Sequence, residues 1–225
     1  MHILALDTST EYCSVALSRD GAIIEREAHA GQGHSRLLLG MVDDVLRDGG
    51  IALGRLDGIA YGEGPGTFTG LRIACGVTQG LAFGADLPVV GIPTLLAIAA
   101  GAGVERVVCC LDARMQQVYH GAYERTPAGW VVVHAAALYD AAAVPGVTGG
   151  GWVGCGSGFL AYGEALSQRY GDQLVQVFPE AFPRARHIAA LAESVFAGGG
   201  AVAADAAAPC YVRDKVALRT DERAA

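Results

Sequence analysis

The chain has 225 residues and a formal charge of −7, with 52% hydrophobic and only 17% charged residues. That length supports one large domain or two small lobes with real cores, and so apolar a composition requires elements covered on more than one side. The acidic balance disfavours direct binding to a phosphate backbone, where affinity comes largely from Lys and Arg displacing counterions, so any nucleic acid would be met mainly through a partner.

The first third reads strand, strand, strand, helix, strand, helix. Ile3 to Asp7, Cys13 to Ser18 and Ala22 to Ala28 are short β-prone runs, punctuated by Asp7-Thr8-Ser9-Thr10 and Arg19-Asp20-Gly21 as turns. Ser35 to Asp48 places Leu37, Leu38, Met41, Val42, Val45 and Leu46 at helical spacing, with Ser35 as a candidate N-cap. His34, just before it, is read as part of the helix entry rather than a pH-sensitive contact. An apolar strand, Leu56 to Tyr61, then runs into a glycine turn, Gly64-Pro65-Gly66-Thr67-Phe68-Thr69-Gly70, and a helix over Leu71 to Phe83. A strand from Pro88 to Ile92 and a helix from Thr94 to Ala102 follow.

At Val107 the pattern restarts. Val108-Cys109-Cys110-Leu111-Asp112 echoes Ile3-Leu4-Ala5-Leu6-Asp7 at an offset of 105 residues, and a second strand, Val118 to Tyr123, follows as it did before. Solenoid periods run to about 20–50 residues, so a repeat this long implies two related lobes. The second copy has degenerated, because Asp112-Ala113-Arg114-Met115 lacks the hydroxyls of the first turn. Beyond it come an Ala/Gly-rich loop (Ala141 to Gly151), helices over Phe159 to Tyr170 and His187 to Phe196, a linker from Ala201 to Pro209, and Tyr211-Val212-Arg213 as a segment that docks back. The expected division is residues 1–105 as the first lobe and 106–225 as a reduced second lobe, with 209–225 returning to the first.

A carboxylate with three hydroxyls in a tight turn (Asp7, Thr8, Ser9, Thr10) can hold a phosphate or its metal, or can be an ordinary Asx turn. Strand, glycine turn and helix N-terminus, as at Gly64, Gly66 and Thr67, aim free backbone N–H groups at an anion. Ser9 and Thr67 lack a nearby His or Lys pattern to act as base, which favours turn hydroxyls over nucleophiles. The six cysteines show no C-x-x-C pair and read as buried thiols, with Cys109 and Cys110 on opposite faces of one strand. The six histidines (His2, His29, His34, His120, His134, His187) show no metal-binding spacing, and no metal or cofactor is expected. No apolar stretch reaches membrane-spanning length unbroken, and no basic region precedes an apolar run at the N-terminus, so a cytoplasmic location is expected.

The two lobes and paired loops are similar in layout to the actin, sugar-kinase and heat-shock-chaperone (ASKHA) superfamily: an α/β fold with duplicated mixed sheets flanked by helices. Five ordered blocks resemble the TsaB family more specifically: Ile3 to Thr10, His34 to Leu39, Gly64 to Ile73, Gln79 to Gly84, and Asp112 to Met115. Gly40 stands where that family usually has proline, and Gln117 where it often has glutamate. TsaB is the small subunit of the bacterial machinery that makes threonylcarbamoyladenosine in tRNA. The resemblance implies a non-catalytic scaffold that pairs with the catalytic subunit TsaD, recruits the ATPase TsaE through that pair, meets tRNA only indirectly, and forms a homodimer when alone. Registering the chain on TsaD puts that subunit's metal-binding histidines at Thr94 and Ile98, neither of which replaces imidazole.

Glycines at positions 76, 80 and 84 fall on one helix face, serving either close packing on the chain's own sheet or a helix–helix interface. The Leu37 to Leu46 helix is apolar over a wider arc than one core contact needs, which leaves part of it for a partner. The expected partner interface is Ser35, Leu38, Met41, Val42, Val45, Gly76, Gly80, Phe83 and Gly84, and the expected remnant of a nucleotide loop is Asp7, Thr8, Ser9, Gly64, Gly66 and Thr67. The contrasting reading is a stand-alone small phosphotransferase, or a peptidase of the glycoprotease type.

Overall fold

Three apolar runs separated by tight turns fold as an antiparallel meander of strands β1 (His2–Asp7), β2 (Tyr12–Arg19) and β3 (Ala22–His29). The β2–β3 turn uses Asp20 and Gly21, both at positive φ (52° and 84°), which matches the twist of the strands it joins. Strands β4 (Gly58–Gly64) and β5 (Val89–Pro93) add in parallel on the other side of β1, giving the order β3-β2-β1-β4-β5. These relations come from a computed structural model that describes residues 1–213.

Helices α1 (His34–Asp48) and α2 (Phe68–Ala85) pack on one face of this sheet. There Leu4, Leu6, Val15 and Leu17 meet Leu38, Met41, Val42, Val45 and Cys75. Helix α1 starts at His34 behind Gly33 with no side-chain cap, so Ser35 is an exposed residue inside the first turn and not the N-cap. His34 is buried at that entry, its Nε2 3.3 Å from the Tyr12 carbonyl. Helices α3 (Thr94–Gly101) and α6 (Ala185–Ala197) cover the opposite face. On it Ile3, Ala5, Ala16 and Val90 meet Ala97, Ile188, Ala189 and Ala192.

The second sheet repeats the first. Strands β6 (Arg106–Asp112), β7 (Gln117–Thr126), β8 (Gly129–Asp140), β9 (Trp152–Cys155) and β10 (Leu174–Phe178) are ordered β10-β9-β6-β7-β8. Read from β8, this is the order of the first sheet advanced by five strands, with the same parallel and antiparallel neighbours. The echo of Leu6-Asp7 in Leu111-Asp112 therefore marks equivalent ends of β1 and β6. Cys109 and Cys110 do face opposite ways: Cys110 packs with Trp152, Phe159 and Tyr170, whereas Cys109 packs with Leu95, Ile98 and Ala99 of α3. Helix α3 is thus the wall shared by both lobes.

Three expectations need correction. The helix expected over 159–170 is two pieces, α4 (Gly158–Ala161) and α5 (Gly163–Tyr170), because Tyr162 (φ −134°) leaves the helical region between them. The second lobe does not extend to the C-terminus, since α6 returns to the first sheet and completes its core. The stretch Ala201 to Pro209 is not a free linker: Val202 pairs with Val89, and Ala204 and Ala207 are buried against the first lobe. Of the expected docking segment 209–225, residues 214–225 lie outside the described residues.

Helix α2 contains glycines in opposite situations. A Cβ added at Gly70 would collide with the Thr8 backbone carbonyl, whereas Gly76, Gly80 and Gly84 have nothing within 4 Å of where a Cβ would stand. Packing on the chain's own sheet therefore does not explain the stripe at 76, 80 and 84. Relief of helix-interior entropy should make Gly80→Ala about 0.5–1 kcal/mol more stable. Overpacking should make Gly70→Ala about 1–3 kcal/mol less stable. Urea unfolding midpoints at constant slope would show the opposite signs.

Candidate functional site

The turn after β1 and the glycine turn after β4 meet at the edge of a cleft of about 670 Å³ between the lobes, bounded by Ser9 and Thr67 on one side and Asp112 and Ser157 on the other. The two turns are bonded to each other. Thr67 N–H donates to the Ser9 carbonyl at 2.7 Å, and Thr8 Oγ1 donates to the Gly70 carbonyl at 2.7 Å. Contact this close depends on missing side chains, because a Cβ at Gly66 would stand 2.5 Å from the Ser9 carbonyl oxygen. Gly64 (φ 129°) is pressed in the same way by the Cys210 carbonyl. The structure brings together all six residues expected at the nucleotide loop: Asp7, Thr8, Ser9, Gly64, Gly66 and Thr67. Within the turn pair, the Ser9 donors go to Asp7, Thr67 N–H goes to Ser9 and Thr8 Oγ1 goes to Gly70.

Asp7 lies beneath this seal and does not line the cleft. It is fully buried; Oδ1 accepts from Ser9 N at 3.0 Å and Ser9 Oγ at 2.9 Å, and Oδ2 has no partner. Burial pushes its carboxyl up to about 7, against the two Ser9 hydrogen bonds that pull it down. Ser9 Oγ donates to the Asp7 carboxyl here, and among the described residues no imidazole or amine is its hydrogen-bond partner. The equivalent Asp112 is placed differently: it faces the cleft, accepts from Arg114 N at 2.8 Å and Tyr162 OH at 3.0 Å, and pairs with Arg114 at 3.2 Å.

Thr94 and Ile98, which the resemblance to TsaD sets against that subunit's metal ligands, are packing residues here. Thr94 is buried and donates to the Pro65 carbonyl, and Ile98 is buried in the apolar contact between the lobes. Five of the six cysteines are buried free thiols and Cys210 is exposed.

The residues expected at the partner interface divide sharply. Leu38, Met41, Val42 and Val45 are buried in the first lobe's own core and cannot also face a partner. The exposed apolar residues of α1 are instead Leu37 and Leu39, at 38% and 51% exposure on opposite flanks of the buried Leu38, with exposed Ser35 one turn before Leu39. On α2, Gly76, Gly80 and Gly84 are open, and Phe83 is 82% exposed. Leu37 and Leu39 lie in the wide apolar arc yet outside the expected interface set, because helical spacing assigns Leu37, Leu38 and Leu39 to core or surface only after one reference residue is fixed.

A duplicated mixed sheet with paired turns at the cleft places this chain in the two-lobed ASKHA-like fold class. The family model for TsaD, tRNA N6-adenosine threonylcarbamoyltransferase, matches residues 23–219. The tRNA threonylcarbamoyladenosine biosynthesis protein TsaB of Escherichia coli K12 is 38% identical over 97% of this chain and 97% of its own. The protein of that name from Haemophilus influenzae is 48% identical over 52% of this chain and 51% of its own. Two Pseudomonas aeruginosa structures, one called YeaZ and one described as similar to peptidase YeaZ, superpose with TM-scores of 0.86 and 0.87. They are 38% and 37% identical, and cover 93% and 94% of this chain and 99% of each of theirs. The chain belongs to the TsaB family. No helix among the described residues is long and apolar enough to cross a membrane.

The buried carboxyl makes a pH test possible. Folded Asp7 keeps its proton up to about pH 7, whereas an unfolded Asp loses it near 4, so the native state holds the extra proton between those values. Stability contributed by this group is present at about pH 4, is lost as pH rises through about 7, and levels off above. Asp7→Asn should flatten that slope, match wild type near pH 4, and exceed it at pH 8 by at most about 4 kcal/mol. Urea unfolding at three pH values measures this.

Proposed function

We propose that this chain is a non-catalytic subunit of the complex that forms threonylcarbamoyladenosine in tRNA, and that it pairs with a TsaD-type catalytic subunit through the exposed face of α1 and α2. The observation that carries the reading is the exposed surface of α2, where Phe83 stands in solvent on the face of three glycines that leave room for another helix to approach, with Leu37 and Leu39 exposed on the two flanks of α1. Glycine in a helix interior is unfavourable unless something compensates, and nothing among the described residues packs there. The names of the relatives supply the pathway, and the family match supplies the kind of partner.

Three further observations support a scaffold over an independent enzyme. Thr8 Oγ1 and Thr67 N–H, donors that could serve a phosphate, are bonded between the two turns, the acid beneath them is sealed from the cleft, and Thr94 and Ile98 stand where the resemblance to TsaD puts its metal ligands. A phosphotransferase or a peptidase would need those groups free. With a net charge of −7, the chain meets tRNA through its partner. The same pair recruits TsaE, and the modification is made in the cytoplasm. In the partner's absence the α1–α2 face pairs with its own copy, since an exposed apolar helix face favours a two-fold dimer.

Copurification with the TsaD encoded in the same genome, followed by a tRNA modification assay with and without this chain, tests the proposal directly. Leu39→Asp and Phe83→Asp should leave the fold intact and each weaken pairing by about 2 kcal/mol or more, roughly thirtyfold in Kd. Leu38→Asp, which buries an unpaired charge, should instead abolish folding. Modification that proceeds at full rate without the chain, or calorimetry showing low-micromolar ATP affinity that is lost in Asp7→Ala, would sink the scaffold reading.

A further inference from the structure

Three consecutive non-glycine residues, Arg114, Met115 and Gln116, hold positive φ (64°, 55° and 61°) at the tip of the β6–β7 hairpin. One such residue is uncommon, because its Cβ crowds the following carbonyl, and a run persists only where the surroundings over-determine it. Part of the hold comes from the second lobe itself: Ala113 N–H donates to the Gln117 carbonyl and Ala141 N–H to the Gln116 carbonyl. Within the same lobe Arg114 N–H donates to Asp112 Oδ1, Gln117 N–H to the Arg114 carbonyl and Gln117 Nε2 to Asp140 Oδ1. A further hold comes from across the cleft. Arg213 Nη2 donates to the Ala113 carbonyl and to Gln117 Oε1, both at 2.9 Å, and Nη1 lies 3.5 Å from Met115 Sδ. One guanidinium thus grips the strained residues from both flanks.

Arg213 lies on a strap anchored along the first lobe. Val202 and Val89 exchange two backbone hydrogen bonds, Gln79 Nε2 donates to the Ala207 carbonyl, and Tyr61 OH both donates to and accepts from the Ala208 backbone. Cys210 N–H then donates to the Glu63 carbonyl at 2.7 Å. Tyr211 OH accepts from Arg72 Nε at 2.8 Å, and the Arg72 guanidinium lies 3.8 Å from the Phe68 ring centroid, with the Phe68 and Tyr211 rings 5.5 Å apart. Phe68 and Arg72 open α2, and positions 72, 76, 80 and 84 follow one another at helical i+4 spacing on its surface. Contacts therefore run from Arg72, which shares the exposed face of α2 with the open glycines, to Tyr211, and the chain carries on from there to Arg213 and the strained tip.

We propose that residues 210–213 are a latch across the cleft, which holds the second lobe's hairpin tip in its strained form and couples that tip to the partner-facing surface of α2. The latch concerns the chain alone, and its coupling rests on the pairing proposed above. A partner seated over α2 confines Arg72 against Phe68 and Tyr211, which fixes the strap and tightens the grip of Arg213. Release lets residues 114–116 relax toward ordinary backbone angles and opens the cleft on that side.

Amide hydrogen exchange, read by mass spectrometry on the full chain, tests both halves. Arg213→Ala should speed exchange at residues 114–117 by about tenfold, and Tyr211→Ala by a smaller factor. Unchanged exchange at 114–117 in Arg213→Ala, with the circular dichroism of a folded chain, overturns the latch. With TsaD from the same genome added, the tip should become more protected in wild type and not in Tyr211→Ala. A partner that binds both chains and moves the tip in neither overturns the coupling. A partner that fails to bind at all refutes the proposed pairing and the coupling with it, while the isolated chain still decides the latch.

Discussion

The backbone contact between the β1–β2 turn and the glycine turn constrains the placement of α2 and, through it, the surface of the first lobe. Thr67 N–H on the Ser9 carbonyl and Thr8 Oγ1 on the Gly70 carbonyl fix the position and rotation of the first turn of α2. Once that rotation is set, Leu71, Ala74, Cys75 and Ala82 are buried, and Gly76, Gly80, Phe83 and Gly84 face solvent. The same contact closes over Asp7 and excludes it from the cleft. A turn pair built on a phosphate-binding pattern thus serves as a structural clasp, and the surface available for association is set by it.

Much of this was legible in the sequence, because the repeat has chemical punctuation. Leu6-Asp7 and Leu111-Asp112 each end a buried strand before a turn, so the duplication could be read without any helix being located. The glycine turn was equally plain, since strand, Gly-Pro-Gly and helix succeed one another within one short stretch. Strands β8 and β10 carried weaker signals. β8 is an edge strand with mostly exposed or half-buried side chains, so its Trp-Val-Val-Val run does not alternate cleanly, and β10 is short and largely exposed.

The fate of the C-terminal third could not be read locally. Helix α6 is amphipathic in either lobe; only the complementary small residues of the first sheet (Ala5, Ala16, Ala60) make it fit there. The partner face was half legible for a related reason. The Leu37-Leu38-Leu39 run shows that α1 is apolar on more than one side, but which leucine points inward depends on where β1 and β2 lie beneath it. Physical spacing gave the width of the apolar arc, and tertiary placement gave its orientation.

The return of α6 to the first lobe also governs the order in which the molecule can be completed during synthesis. The second lobe is contiguous, with its strands lying between Arg106 and Phe178, and its chain is available as soon as it emerges. The first lobe is interrupted. Its sheet is finished at Pro93, yet the face bearing Ile3, Ala16 and Val90 keeps part of its apolar surface uncovered until residues 185–197 have been made. Domains generally form as the ribosome delivers them. In this chain the part made first is completed last, and an apolar sheet face waits through the synthesis of an entire lobe for the helix that covers it.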